Sequence, residues 1–235
     1  MKRNIIFFAA LCLISMQNTL RSATLLNSQS KFISKDSSLS SMDAFKSTLL
    51  SVYDDFDTSK TFSDMVTASN KMKLVAGKWS EQWTAQYYAG YMLTVLSFIE
   101  KDEAKRDSYL DEAENYFKKA KELFKKNSDE MYVLAAMIAN ARLAVKPGSR
   151  YKKYGEIFSA DLDSARNLND ANPRIYYLKG NSIFYTPKIF GGGAKKALPY
   201  FEIADTLYQK EKSSDIFKPY WGNRQNADLL KKCKE

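Results

Sequence analysis

Two stretches of this chain repeat one spacing: Ala113, Phe117 and Ala120, then Ala197, Phe201 and Ala204. On an α-helix such positions share a face. The two small residues let a neighbouring helix come close, and the ring between them fills the gap. A face of this kind must be buried against another helix, so the spacing predicts helical hairpins that stack on one another. Tyr176, Gly180 and Ile183 carry the same spacing on the helix before the second copy. Asn172 to Ala204 is therefore the best-defined hairpin. Asn172 suits the N-cap and Pro173 the first helical position, and Gly191-Gly192-Gly193 lies in the connection.

The rest of the chain keeps a helical period. Met42, Phe45, Leu49, Val52, Tyr53 and Phe56 line one face of a first helix, and Phe62, Met65, Ala68, Met72 and Val75 a second, which is expected to end at a C-cap Gly77. Ser80 is expected to open a third helix, apolar nearly all round from Trp83 to Ile99 and so placed centrally. A fourth is expected over Asp107–Lys126, with Glu114 and Lys118 as an i,i+4 pair, a fifth over Asp129–Val145 and a sixth over Tyr151–Leu168. Pro199 requires the eighth helix either to start near Lys195 or to kink. Phe217 to Gly222 and a short helix, Asn223–Lys232, read as a terminal cap. The expectation is all-α: a right-handed α/α solenoid of about nine helices, four hairpins plus a C-terminal cap.

Met1-Lys2-Arg3 followed by the apolar run Ile5 to Ile14 has the layout of a secretory signal peptide and is too short to span a bilayer. The domain reading is a signal peptide over 1–23, cleaved somewhere in 15–23, a Ser/Lys-rich linker over 24–41 and a helical-repeat domain over 42–235. The mature chain is then exported, periplasmic or secreted, without a transmembrane segment. Leu11 before Cys12 disfavours a lipid anchor. Loss of Lys2, Arg3 and Arg21 lowers the formal charge of +9 by three. The remaining lysines are scattered over helix faces, not gathered in the stripe that nucleic acid requires. Cys233 is then alone, either pairing between chains or packing under the last helix.

The chain contains no histidine. This excludes Ser-His-Asp and Cys-His arrangements and His-ligated zinc. Phe190-Gly191-Gly192-Gly193-Ala194-Lys195-Lys196 lacks the spacing and the hydroxyl residue of a phosphate-binding loop, and its glycines read mainly as geometry. Asp54-Asp55-x-Asp57 and Asp161-x-Asp163 lack the ligand number of a calcium loop. No catalytic residue, metal or cofactor is expected.

Trp83-x-x-x-Tyr87-Tyr88-Ala89, Asn172-Pro173-Arg174-x-Tyr176-Tyr177-Leu178-x-Gly180, Thr186-Pro187-x-x-Phe190-Gly191-Gly192-Gly193 and Pro219-x-Trp221-Gly222 occur in this order. Together they resemble an exported tetratricopeptide-like family of Bacteroidota, over roughly Met42 to Cys233. The resemblance implies a helical-repeat fold in the cell envelope and supplies no catalytic residues. Tetratricopeptide domains bind peptides or proteins in a concave groove. With Gly180 at the eighth position of that repeat, the groove would be lined by Arg174, Tyr177, Asn181, Phe184 and Tyr185. The same register on the fifth helix gives Glu130, Val133, Met137, Asn140 and Ala141. The expected function is non-catalytic binding of a protein or peptide partner through this groove. The alternative is a periplasmic small-molecule-binding component associated with uptake. The two differ in whether the concave face is an open groove, a closed pocket or filled by the protein's own side chains.

Overall fold

The computed structural model describes residues 41–211 and 215–235, so the signal and linker expectations lie almost wholly outside the described residues. Helix α1 covers residues 41–57. Within it the contacts divide the chain after Ser47, and the architecture below is that of Thr48–Glu235. The helices that follow are α2 (Phe62–Lys78), α3 (Trp83–Ile99), α4 (Glu103–Phe124), α5 (Asp129–Val145), α6 (Pro147–Leu168), α7 (Pro173–Tyr185), α8 (Ala194–Lys210) and α9 (Asn223–Lys234), with a 3₁₀ turn at Lys188–Phe190. The described residues include no strand.

Successive helices pair as α3 with α4, α5 with α6 and α7 with α8. The first helices of these hairpins also touch one another, α3 against α5 and α5 against α7, which makes a helical-repeat stack. The repeated small residues sit where the helices meet. Ala113, Ala120, Ala197, Phe201 and Ala204 have no exposed surface. A Cβ on Gly180 would lie 2.8 Å from the Phe201 ring, and one on Gly90 would lie 3.2 Å from the Ala113 carbonyl. The α3–α4 and α7–α8 hairpins thus each close on a glycine of their first helix, where a side chain would force the neighbouring helix to shift.

Helix starts follow their caps. The Thr61 hydroxyl accepts from the Asp64 amide at 3.1 Å, Asp102 from the Lys105 amide at 2.8 Å and Asn172 from the Arg174 amide at 3.0 Å. Asp102 starts α4 one turn before the expected Asp107. Pro147 takes the first position of α6 instead of ending a loop at Tyr151, because its fixed φ and missing amide suit a helix start. Helix α2 runs one residue past Gly77, which has nothing within 4 Å of a built Cβ and is no left-handed cap. Ser80 lies in the turn before α3. There its carbonyl, with that of Ala76, accepts from the Gln86 side chain, and Gln82 takes the N-cap position. Helix α8 starts at Ala194 and continues through Pro199, which is exposed, so the hydrogen bond it removes is on the solvent side.

Helix α9 closes the stack against α8. Asn226 donates to the Phe201 carbonyl at 3.1 Å, and Gln225 reaches Asp57 at the end of α1 at 2.9 Å. Cys233 is a half-buried free thiol on this helix. No described helix is long and apolar enough to cross a membrane.

Candidate functional site

The inner faces of α3 and α7 are occupied by the chain's own C-terminal segment. Trp221, 1% exposed, lies against α3 and α7. Its indole N–H donates to the Tyr87 hydroxyl at 3.0 Å, and Tyr87 in turn donates to Glu130 at 3.1 Å. Tyr91 stacks on the indole with centroids 4.7 Å apart, and Tyr177 meets it edge-on at 6.3 Å. Tyr208 donates to the Trp221 carbonyl at 3.1 Å. The next residue has to be glycine: Gly222 has φ of 102°, and a Cβ there would lie 2.2 Å from the Tyr208 hydroxyl oxygen. Tyr220 extends the cluster onto Tyr53, with ring centroids 5.1 Å apart.

Arg174 is the charged centre of this interior and is 1% exposed. Its guanidinium contacts Glu211 at 2.9 Å and Glu130 at 3.2 Å and donates to the Pro219 carbonyl. It also lies over the rings of Trp221 and Tyr208. Burial opposes its charge, but Glu130, Tyr208 and Glu211 outweigh burial and hold it above the usual arginine range. Glu130 is pushed up to about 7, chiefly by burial and against the pull of Arg174, with Asp129 adding repulsion. Asn172 donates to it at 2.7 Å. One cation thus answers two carboxylates, and every partner comes from within the chain.

The predicted groove residues therefore separate. Arg174 and Tyr177 are buried and engaged, Tyr177 through Trp221 and a hydrogen bond with Asn181. Val133, Met137, Asn140 and Ala141 are buried too, and Glu130 is largely so. Asn181 and Phe184 are half-buried, Phe184 resting on Phe201 and Tyr185. Tyr185, at 67% exposure, projects into solvent. Sequence reasoning read Trp221 as part of a cap and missed that it fills the groove. The only hint was the Pro-x-Trp-Gly motif, which shows a constrained turn but not where it docks.

A second polar cluster joins α4, α5 and α6. Arg142, 7% exposed, contacts Asp107, Asp111 and Glu114, so Glu114 serves this seam between helices. Hydrogen bonds from Arg150, joined by Arg142, pull Asp107 down to about 2. Its charges too are matched internally. Among the described residues, no group of three or more His, Cys, Asp or Glu could hold a metal ion. Two surface depressions involve α6. One lies near Leu168, Asp170 and Tyr176 and the other near Tyr151 and Ala160, and both are open.

The α7–α8 connection has the opposite character. Ile189 and Phe190 are 85% and 75% exposed, and Tyr185 shortly before them in the sequence is 67% exposed. The backbone beneath them is fixed: Gly193 donates to the Ile183 carbonyl at 2.8 Å, Phe190 to Pro187 at 2.9 Å and Gly191 to Lys188 at 3.0 Å. A Cβ on Gly192 would fall 2.1 Å from the Thr186 carbonyl oxygen. The glycines are thus geometric, as their sequence suggested, and the geometry they enforce holds apolar side chains out in water.

No family model matches this chain, and no curated protein does. A solved structure does: the HusA haemophore from Porphyromonas gingivalis, at 32% identity and a TM-score of 0.67, covering 82% of this chain and 92% of that one. Its source is a member of the Bacteroidota, the group named by the sequence resemblance, and it is a binding protein rather than an enzyme. This agrees with the non-catalytic expectation.

Proposed function

We propose that this chain, which belongs to the family of the HusA haemophore, binds haem or a related porphyrin in the cell envelope, without catalysis. The observation that carries the reading is the likeness to a haemophore over nearly the whole of that protein's length. The interior supports it by what it leaves no room for. Trp221 and Tyr220 lie where a groove-bound peptide would, which counts against the peptide reading. The export signal read in 1–23 agrees with a role in uptake at the cell surface.

The chain's own chemistry limits how a porphyrin is held. Without histidine there is no imidazole ligand for the iron. Apolar and ring contact with the porphyrin face, together with lysines that meet its carboxylates, supply the binding. Of the predicted groove set, Asn181, Phe184 and Tyr185 have surface to offer a ligand, while Arg174 and Tyr177 act as scaffold. With ring contact and lysines, rather than an iron ligand, proposed to hold the porphyrin, iron-free protoporphyrin is expected to bind about as well as haem. Titration of the purified protein with each, followed by porphyrin absorbance and tryptophan quenching, checks this. Saturable binding of both supports the reading, and failure of both to saturate removes it.

A further inference from the structure

We propose that the α7–α8 connection is the porphyrin-contacting platform, formed by Tyr185, Ile189 and Phe190 and ringed by Lys188, Lys195 and Lys196. This rests on the haem-binding reading above and assigns its place.

Three large apolar side chains, all more than 60% exposed, stand within six residues of one another. Single exposed apolar residues are ordinary, but a local group on one rigid loop is the kind of surface that a ligand covers. The rigidity matters because a preformed surface loses little conformational entropy on binding. Here it comes from the backbone bonds of Phe190, Gly191 and Gly193 and from the space that Gly192 cannot share with Thr186. Phe184 supports Tyr185 edge-on at 5.1 Å and rests on Phe201 beneath it, tying the platform to the hairpin core.

The charge around the platform selects the occupant. From Ala171 to Phe201 the sequence has no acidic residue. The basic residues of that stretch are Arg174, Lys179, Lys188, Lys195 and Lys196. Arg174 is matched inside, whereas Lys188, Lys195 and Lys196 are exposed. The Lys196 ammonium lies 3.8 Å from where a Gly191 Cβ would be, beside the turn that carries Phe190. An exposed apolar surface edged by cations that no described residue pairs with fits a flat apolar molecule with carboxylate arms, which describes a porphyrin. The buried interior offers no such surface, since its cation, Arg174, is already paired with Glu130 and Glu211.

The test uses the full-length mature protein, titrated with haem and with protoporphyrin dimethyl ester, whose carboxylates are capped. Compared with wild type are Tyr185→Ser/Phe190→Ser, Lys188→Gln/Lys195→Gln/Lys196→Gln, and a control, Leu74→Ser, at a site 74% exposed elsewhere. Circular dichroism confirms that each variant is folded. The expected result is at least about a tenfold loss of affinity for both ligands in the aromatic variant. The lysine variant should weaken haem severalfold, in a salt-dependent way, and leave the ester unchanged. The control should bind like wild type. Wild-type affinity for haem in both platform variants overturns the assignment while the haem-binding reading stands. Absence of haem binding in wild type removes both. A platform that loses binding to anionic phospholipid vesicles when mutated, with haem affinity intact, identifies a lipid surface as its occupant and likewise overturns the proposal.

Discussion

The interior around Trp221 and the loop around Phe190 are built from the same residue types, aromatic rings and basic side chains, with opposite outcomes. In the interior each ring meets another ring and each charge meets a partner: Trp221 against Tyr91 and Tyr87, Arg174 against Glu130 and Glu211. On the loop Ile189 and Phe190 face water, and the stretch that carries the lysines has no acidic residue. Aromatic and basic content alone therefore does not mark a binding face. What distinguishes the two regions is whether the chain has already satisfied its own groups. An interior that has done so contributes stability, and a surface that has not is available to another molecule.

If that division is right, the largest losses of stability come from the interior. Trp221→Ala removes a buried indole and the filling of the groove, and is expected to cost about 3–5 kcal/mol. Arg174→Met should cost a similar amount, about 3–5 kcal/mol, because it leaves Glu130 and Glu211 facing each other without a cation. Chemical denaturation of both variants checks this. A variant of either residue with wild-type stability would break the comparison, since it would show that the interior does not depend on its filling segment.

Gly180→Ala is next. The added Cβ would lie 2.8 Å from the Phe201 ring, so the α7–α8 hairpin must open or the ring must turn. Overpacking of this kind costs roughly 1–3 kcal/mol. Gly155→Ala, with only a Leu143 methyl at 3.7 Å, should be tolerated and serves as the matched control.

How far each region was legible follows from the range of the interactions. Spacing within a helix is local, so the Ala-Phe-Ala faces, the Asn172 cap and the glycine at the hairpin contact were all readable. Filling of the groove was not, because it depends on pairs far apart in sequence. The indole of Trp221 bonds to a hydroxyl 134 residues away, and Arg174 pairs with a carboxylate 37 residues away. No helical period carries that information. The register therefore placed Arg174 and Tyr177 on the inner face but could not say that this face would already be covered. The exposure of Ile189 and Phe190 was hidden for the converse reason: an apolar pair beside three glycines reads equally well as folding inward.

The pH dependence of stability tests the interior more gently. Burial raises the Glu130 carboxyl to about 7 from an ordinary value of 4.5. The folded protein thus binds a proton that the unfolded chain releases between those two values. The stability this group contributes is fully present below about 4.5 and declines as pH rises through 7. Asp107, held down to about 2, acts oppositely, and its contribution is lost only as the solution becomes strongly acidic. Between pH 5 and 8, roughly the window in which Glu130 dominates, the melting temperature should fall by a few degrees as pH rises. Glu130→Gln should flatten the dependence. A melting temperature that rises across this window in wild type would contradict the buried, unevenly matched carboxylate.

The smallest expected effect sharpens the comparison most. Ile189→Ser and Phe190→Ser replace side chains that are 85% and 75% exposed, so little apolar area is lost to the fold. Each should change stability by no more than about 0.5 kcal/mol. Removing an exposed apolar group gives up almost no burial, whereas the same change at Trp221 gives up nearly all of it. The backbone bonds that hold the loop involve amides and carbonyls, not these side chains, and are retained in both variants. Thermal unfolding of the two variants beside Trp221→Ala separates a ring that holds the protein together from one that is merely displayed. A fall of several degrees in Phe190→Ser would mean that the ring packs against the body in solution, and that the loop belongs with the interior after all.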